Sequence, residues 1–330
     1  MKATLLRGPG EVLLEEVPVP EISDDEVLVQ VKYCGICGSD VHAIAEPLLP
    51  AGTYMGHEFA GVLTKVGKNV RGWKVGERVV ANPLYRCGEC YACEHGFLSC
   101  CEYAMEKGIG LATGEANAGG FAKFVRIPNP EKTKLYSLPE ELSFEEGALV
   151  EPLAVSLHAI RMSAFQPGDQ TMVLGAGPIG LGVIALLKNT GAGLIIATAG
   201  IHNQKRAELA KKFGVDYVFN PQKVSNLKEE VLKLTNGIGV AQVFDCSASP
   251  QAFQSARNFL RPRGQIIIVG DIEKGVPIVP LDFCLGEIQL QGISAYGLDE
   301  YPMAIEYLRK GILPVKELIT SKIKLSNIVK

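Results

Sequence analysis

Residues 171–187, TMVLGAGPIGLGVIALL, form the most apolar run of the chain. A bilayer span needs about 20 apolar residues. This run is shorter, and it carries Gly175, Gly177, Gly180, Gly182 and Pro178. It reads instead as a buried strand at 172–174 followed by a buried helix at 181–188. Between them, Gly175-Ala176-Gly177-Pro178-Ile179-Gly180 fits G-x-G-x-x-G. The first glycine permits a tight turn, the second lets the backbone approach a pyrophosphate, and the third lets helix and strand pack closely. The helix N-terminus then faces the anion. Alone the motif is weak; its place between strand and helix gives it weight.

The same alternation continues beyond it. Residues 194–197, 217–219, 240–244, 265–269 and 287–293 read as strands, and 206–213, 227–234 and 251–260 as helices. Alternating β and α at this spacing implies an α/β fold with a doubly wound parallel sheet.

Composition bounds the rest. The chain has 330 residues, 47% hydrophobic and 21% charged, with a net charge of −3. That length suggests two domains, and the charge makes no electrostatic case for nucleic acid or an anionic membrane. Residues 1–6 are too short for a signal-peptide core, and Arg7, Glu11, Glu15 and Glu16 follow at once. A cytoplasmic protein is the expectation, where thiols stay reduced. The nine cysteines then need a reason other than disulfides.

Before residue 171 the pattern is β-rich. Residues 12–14, the proline-punctuated 17–20, 27–33, 56–66 and 77–81 read as strands of a compact β barrel without helical periodicity. Within it, Cys37-Gly38-Ser39-Asp40-Val41-His42 and Gly56-His57-Glu58 group a thiol, two imidazoles, a hydroxyl and carboxylates. Sulfur, imidazole and one carboxylate suit a catalytic zinc, which takes three protein ligands and keeps one position open. A buried cysteine with two surface histidines is the competing reading. Cys87, Cys90, Cys93 and Cys101 follow as C-x2-C-x2-C-x7-C, four thiols in one lobe, which suits a closed tetrahedral metal site. Zinc fits it, with iron as the rival metal and Cys100 as the alternative fourth ligand. Glu151 follows an acidic stretch, where the β-rich part gives way to the α/β pattern, a position that suggests an interdomain cleft.

An NAD site normally places Asp or Glu at the end of the second strand to hold the ribose hydroxyls. Here that strand ends Ala197-Thr198-Ala199-Gly200, and Lys205 and Arg206 come soon after. Without the carboxylate nothing repels a 2′-phosphate, and the two cations attract one, so NADP is expected over NAD.

Taken together, these motifs resemble the zinc-containing medium-chain dehydrogenase/reductase family of the alcohol dehydrogenase superfamily. The resemblance covers nearly the whole chain and is closest to the polyol branch, the sorbitol, galactitol-phosphate and butanediol dehydrogenases. It implies a GroES-like β-barrel catalytic domain over 1–153 and 296–330, and a Rossmann domain over 154–295. It implies two zinc ions per chain. Cys37, His57, Glu58 and Glu151 then surround the catalytic one, with Glu58 or Glu151 bound directly or through water. The four cysteines hold the structural one. Ser39 and His42 match the family's proton relay, through the nicotinamide ribose. Val269-Gly270 and Ile293-Ser294 match segments flanking the nicotinamide. Relatives are homodimers or homotetramers acting on small alcohols or polyols.

Three departures stand out. Ala199 replaces the acidic ribose ligand. The Arg-Tyr pair of the sorbitol pocket becomes Ala295-Tyr296, which leaves Tyr296 as the substrate contact. The chain stops at Lys330, before a final helix and strand that relatives usually add, as in a short member or a truncated chain. An L-threonine 3-dehydrogenase remains an alternative, though no group for the substrate's ammonium and carboxylate is identifiable. A non-catalytic nucleotide-binding protein is the alternative from another class; it has no physical need for Cys37, Ser39, His42 and His57.

Overall fold

The computed structural model describes residues 1–45, 49–104, 106–110, 119–200, 204–272 and 275–329. The chain forms two units. The first comprises Met1–Glu151, Gly297–Gly311 and Leu318–Lys330, and the second Pro152–Tyr296 and Ile312–Glu317. Lys330 itself lies outside the described residues.

The first unit opens with an antiparallel hairpin, β1 (Lys2–Gly8) and β2 (Glu11–Glu16). Pro18 and Pro20 cannot donate to a ladder, and 17–20 form no strand. Next come β3 (Glu26–Gly35), helix α1 (Gly38–Ala45), β4 (Glu58–Val66), β5 (Arg78–Ala81), the single-turn α2 (Tyr91–Glu94), β6 (Phe124–Pro128), α3 (Pro130–Thr133), β7 (Leu135–Ser137), α4 (Phe144–Ala148) and α5 (Val150–Arg161). The five later strands form one antiparallel sheet in the order β6-β3-β4-β5-β7. Val27, Val29, Phe59, Leu63, Val79, Val125 and Ile127 make its core.

The helices of this half correct the all-β reading. The eight-residue α1 is too short for a visible 3.6-residue period, and a side-chain contact starts it. Asp40 accepts the Cys37 amide (2.9 Å), so a donor at the helix start is satisfied. Asp40 and Ala43 are its buried face. At α4 a capping box does the same: Ser143 and Glu146 each accept the other's amide.

The second unit holds β8 (Gln170–Leu174), α6 (Pro178–Asn189), β9 (Leu194–Thr198), α7 (Gln204–Lys212), β10 (Tyr217–Phe219), α8 (Leu227–Leu234), β11 (Val240–Asp245), α9 (Pro250–Ala256), β12 (Leu260–Ile268), α10 (Pro280–Gly286) and β13 (Gln289–Gly292). All pairings are parallel, and the order is β10-β9-β8-β11-β12-β13. Counted within the unit this is 3-2-1-4-5-6, the Rossmann order, with its reversal between β8 and β11. The central strands are buried on both faces, as parallel sheets under helices require. The apolar run at 171–187 is therefore β8 and α6, which is buried from Gly180 to Leu187. Among the described residues no helix is long and apolar enough to cross a membrane. Helix α10 occupies residues with no helical signal beyond Pro280 at its start.

The last part of the chain returns to both units. In α11 (Glu300–Arg309), Tyr301 donates to the Ala81 carbonyl (3.2 Å) and stacks on Tyr136. Residues 312–317 group with the second unit rather than the first: Asn189 Nδ2 donates to the Ile312 carbonyl, and Lys212 pairs with Glu317 at 2.7 Å.

Phe244 is fully buried in the central strand β11. Phe244→Ala is expected to cost about 3–5 kcal/mol. Urea denaturation measures it, and a loss under about 1 kcal/mol would show that this strand is not central to the core.

Candidate active site

In the first unit the register of β3 against β4 builds the donor group. Gly35 pairs with Glu58, so the end of β3 faces the start of β4. Cys37 sits just past β3, and His57 just before β4. One donor atom from each of Cys37, His57 and Glu58 lies within 4.8 Å of the others. His57 and Glu58 are buried, and Cys37 is half-buried. Gly35 makes room for the carboxylate: a Cβ there would lie 2.0 Å from Glu58 Oε2.

Burial sets the electrostatics. It raises the Cys37 thiol pKa, and the Glu151 carboxylate raises it further. Burial likewise holds the Glu58 carboxyl well above the usual range, with Cys37 and Glu151 adding to it. Glu151, in the first turn of α5, is buried close enough to act on both, though it is outside the group of three. These anionic donors repel one another unless a cation lies among them.

Ser39 and His42 are both half-buried and lie three residues apart on α1. Ser39 lowers the Cys37 thiol pKa, against the larger effects of burial and Glu151. Asp40 faces the other way. Besides the Cys37 amide it accepts the Gly56 amide (3.3 Å), and its Oδ1 is 3.8 Å from His57 Nδ1. Sequence reading did not assign Asp40 a role. The signal was there, a carboxylate three residues after Cys37, but its target lies in a different strand connection.

The lobe cysteines converge as well. Cys87, Cys90, Cys93 and Cys101 bring their sulfurs within 4.8 Å of one another, whereas Cys100 is exposed beside Ser99. The Cys87 sulfur is 3.9 Å from that of Cys93 and 3.7 Å from that of Cys101. Disulfide sulfurs would be about 2.05 Å apart. Zinc–sulfur bonds of about 2.3 Å put tetrahedral sulfurs about 3.8 Å apart. The Glu102 and Cys93 amides donate to Cys90 and hold its thiol down to about 6, while burial pushes Cys93 up to about 12. His95 is exposed and stacks on Tyr91.

In the second unit the glycine turn has the geometry its motif needs. Gly175 has φ +92, and a Cβ there would come 2.9 Å from Ser247 Cα. A Cβ on Gly180 would come 1.9 Å from the Gly175 carbonyl oxygen. A Cβ on Gly177 would meet nothing within 4 Å, so this residue faces open space at the start of α6. Pro178 and Ile179 lie in that first turn, Ala176 is buried under it, and no side chain caps the helix. Backbone donors next to open space suit an anion.

Ala199 follows β9, buried, its amide donating to the Phe219 carbonyl. Lys205 and Arg206 are exposed in the first turn of α7. A cleft of about 380 Å³ opens at the carboxyl ends of β12 and β13, lined by Val269, Gly270, Gly292 and Ile293. Ser294 next to it is exposed. Tyr296, by contrast, is fully buried.

Comparison with known proteins agrees with both halves. Residues 23–140 match the alcohol dehydrogenase GroES-like domain, and residues 178–310 match the zinc-binding dehydrogenase domain. The sorbitol dehydrogenase of Bacillus subtilis is 36% identical over 98% of this chain and 90% of its own length. The crystal structure of 2R,3R-butanediol dehydrogenase from Bacillus subtilis superposes with a TM-score of 0.87 at 33% identity, covering 99% of this chain and 93% of that one. An alcohol dehydrogenase from Escherichia coli CFT073, solved with NADH, gives 0.89 at 27% identity over 99% and 93%. Two matched domains, in the order in which the donor group and the glycine turn occur, leave one conclusion. This chain belongs to the zinc-dependent alcohol dehydrogenase family, as an enzyme that uses zinc and a nicotinamide cofactor.

Proposed function

We propose that this enzyme oxidises a polyol, a sugar alcohol or another secondary alcohol, with NADP preferred over NAD. The buried Cys37–His57–Glu58 group carries the reading, because a thiol, an imidazole and a carboxylate are a zinc donor set that leaves a fourth position for substrate. Bound there, zinc supplies Lewis-acid polarisation of the substrate hydroxyl, and the nicotinamide supplies the hydride acceptor. Ser39 takes the hydroxyl proton, and His42 passes it to solvent. With Nδ1 3.8 Å from Asp40 Oδ1, His57 would hold the metal through Nε2. Glu58 and Glu151 make the site harder than a two-cysteine one, which favours two oxygens of a vicinal diol. The names of two relatives, a sorbitol dehydrogenase and a butanediol dehydrogenase, support such a substrate. Cys87, Cys90, Cys93 and Cys101 would hold a second zinc with four thiolates, where it would stabilise the lobe's fold and do no chemistry.

Initial rates of the zinc-loaded protein on polyols, vicinal diols, threonine and simple primary alcohols test the substrate. Vicinal diols are expected to give the highest kcat/KM, and Ser39→Ala to lower kcat by about 10²–10⁴-fold. Faster turnover of simple primary alcohols would sink the diol reading.

Asp40→Asn is expected to weaken zinc binding at Cys37–His57–Glu58 by about 10- to 100-fold while the four-cysteine metal is retained. Competition with a chromogenic chelator measures both. Unchanged affinity at the first site would remove Asp40 from that role.

The cofactor preference rests on Ala199 and on the exposed Lys205 and Arg206. Ala199→Asp is expected to raise the NADPH KM and lower that for NADH, each by about tenfold, the scale of one charge-assisted hydrogen bond. A wild-type enzyme that turns over only with NAD would refute the preference.

A further inference from the structure

We infer that Asp245 is a positioning residue for the cofactor: it sets the turn at 246–249, which is wedged between the Gly175 turn and the Val269–Gly270 strand end. The inference rests on reading that groove as the nicotinamide cofactor's site.

Asp245 ends β11 and is fully buried. Its Oδ1 accepts two bonds from Ser247, one from the amide (3.0 Å) and one from the hydroxyl (2.6 Å). Its main-chain carbonyl accepts the amides of Val269 (3.0 Å) and Gly270 (2.9 Å). One residue therefore ties the end of β11 both to its own turn and to the end of β12. Ser247 Oγ passes the constraint on by accepting the Ser249 amide (3.2 Å).

The turn so held is packed to backbone contact on both sides. On one side, a Cβ at Gly175 would come 2.9 Å from Ser247 Cα. On the other, a Cβ at Gly270 would come 2.6 Å from the Ala248 amide nitrogen. Ala248 between them has φ +53, a left-handed conformation that a side chain adopts at a cost. A shift of this turn therefore moves the pyrophosphate turn, the nicotinamide flank, or both.

Stability alone is a poor reason for this residue. Asp245 Oδ2 is buried and has no hydrogen-bond partner among the described residues. A half-satisfied carboxyl in a core strand is unfavourable, and burial raises its pKa. What it supplies is the turn. Hydride transfer depends on placement within about an ångström, so the spacing of the two loops is a catalytic variable.

The test uses the full-length, zinc-loaded protein and three variants, Asp245→Ala, Asp245→Asn and Ser247→Ala. Fluorescence titration gives Kd for NADH and NADPH, steady-state kinetics give KM and kcat, and thermal melting reports folding. Asp245→Ala is expected to raise cofactor Kd and KM about 10- to 100-fold, a larger effect than on substrate KM. Asp245→Asn can still accept from Ser247 and is expected to restore both to within about threefold of wild type. Ser247→Ala keeps a backbone N–H donor to Oδ1 and should fall between.

The inference is overturned if Asp245→Ala binds both cofactors like wild type, or if Asp245→Asn is as impaired as Asp245→Ala. Should Asp245→Ala fail to fold, Ser247→Ala decides, and an unchanged cofactor Kd overturns it. Wild-type protein that binds neither NADH nor NADPH sinks the cofactor reading of the groove, and this inference with it. Wild-type binding with unaffected variants sinks the positioning role alone.

Discussion

Buried anionic donors cannot sit together without a cation, and the first unit is built around that constraint. Cys37, His57 and Glu58 bring donor atoms within 4.8 Å of one another, and Glu151 adds its negative charge from the start of α5. Burial pushes the Cys37 and Glu58 protons toward staying bound, which a metal reverses by displacing them. The surroundings follow from this need. The pairing of Gly35 with Glu58 sets the distance between two chain segments, and the missing side chain of Gly35 leaves space for the carboxylate. Helix α1 begins where Asp40 takes the Cys37 amide, so Cys37 and the helix start share one anchor. Ser39 and His42 then stand on the same short helix.

The second unit answers the opposite electrostatic problem. Its glycine turn sets backbone N–H groups beside open space, a setting that suits an anion. Gly177 faces that space, while Gly175 and Gly180 allow the turn to fold on itself. Helix α6 is pinned from below. Ser156 Oγ on α5 lies 3.1 Å from the Ile179 carbonyl, and Gly182 allows that approach. Asp245 does the equivalent on the other side of the groove through Ser247. The parallel order with its reversal between β8 and β11 brings these loops to one end of the sheet.

Chemistry borne by local spacing was legible. C-x2-C-x2-C-x7-C can be recognised without a fold, because four thiols so near in sequence can meet within one short lobe. The glycine turn is equally local, and β8 and α6 lie where the apolar run and its glycines put them. Helix α1 was hidden because eight residues show no period, and its start depends on a side chain of the helix itself. Asp40 and Asp245 were hidden for another reason. Each is one carboxylate among many in the sequence, and only its burial and its partners distinguish it. Tyr296, which the resemblance to the sorbitol pocket singled out, is fully buried.

The sequence by itself determined which donors and glycines exist, their order, and the alternation that makes a parallel sheet follow a β-rich half. Those properties depend on neighbours within a few residues. Only the tertiary structure decided that Cys101 rather than Cys100 joins the sulfur cluster, that Asp40 reaches His57, and that Ser247 and Ala248 wedge between Gly175 and Gly270. The contacts from Asp40 to His57 and from Gly175 to Ser247 join residues far apart in the chain. Strand order and register set them, and register turns on the summed packing of a core rather than on any one residue.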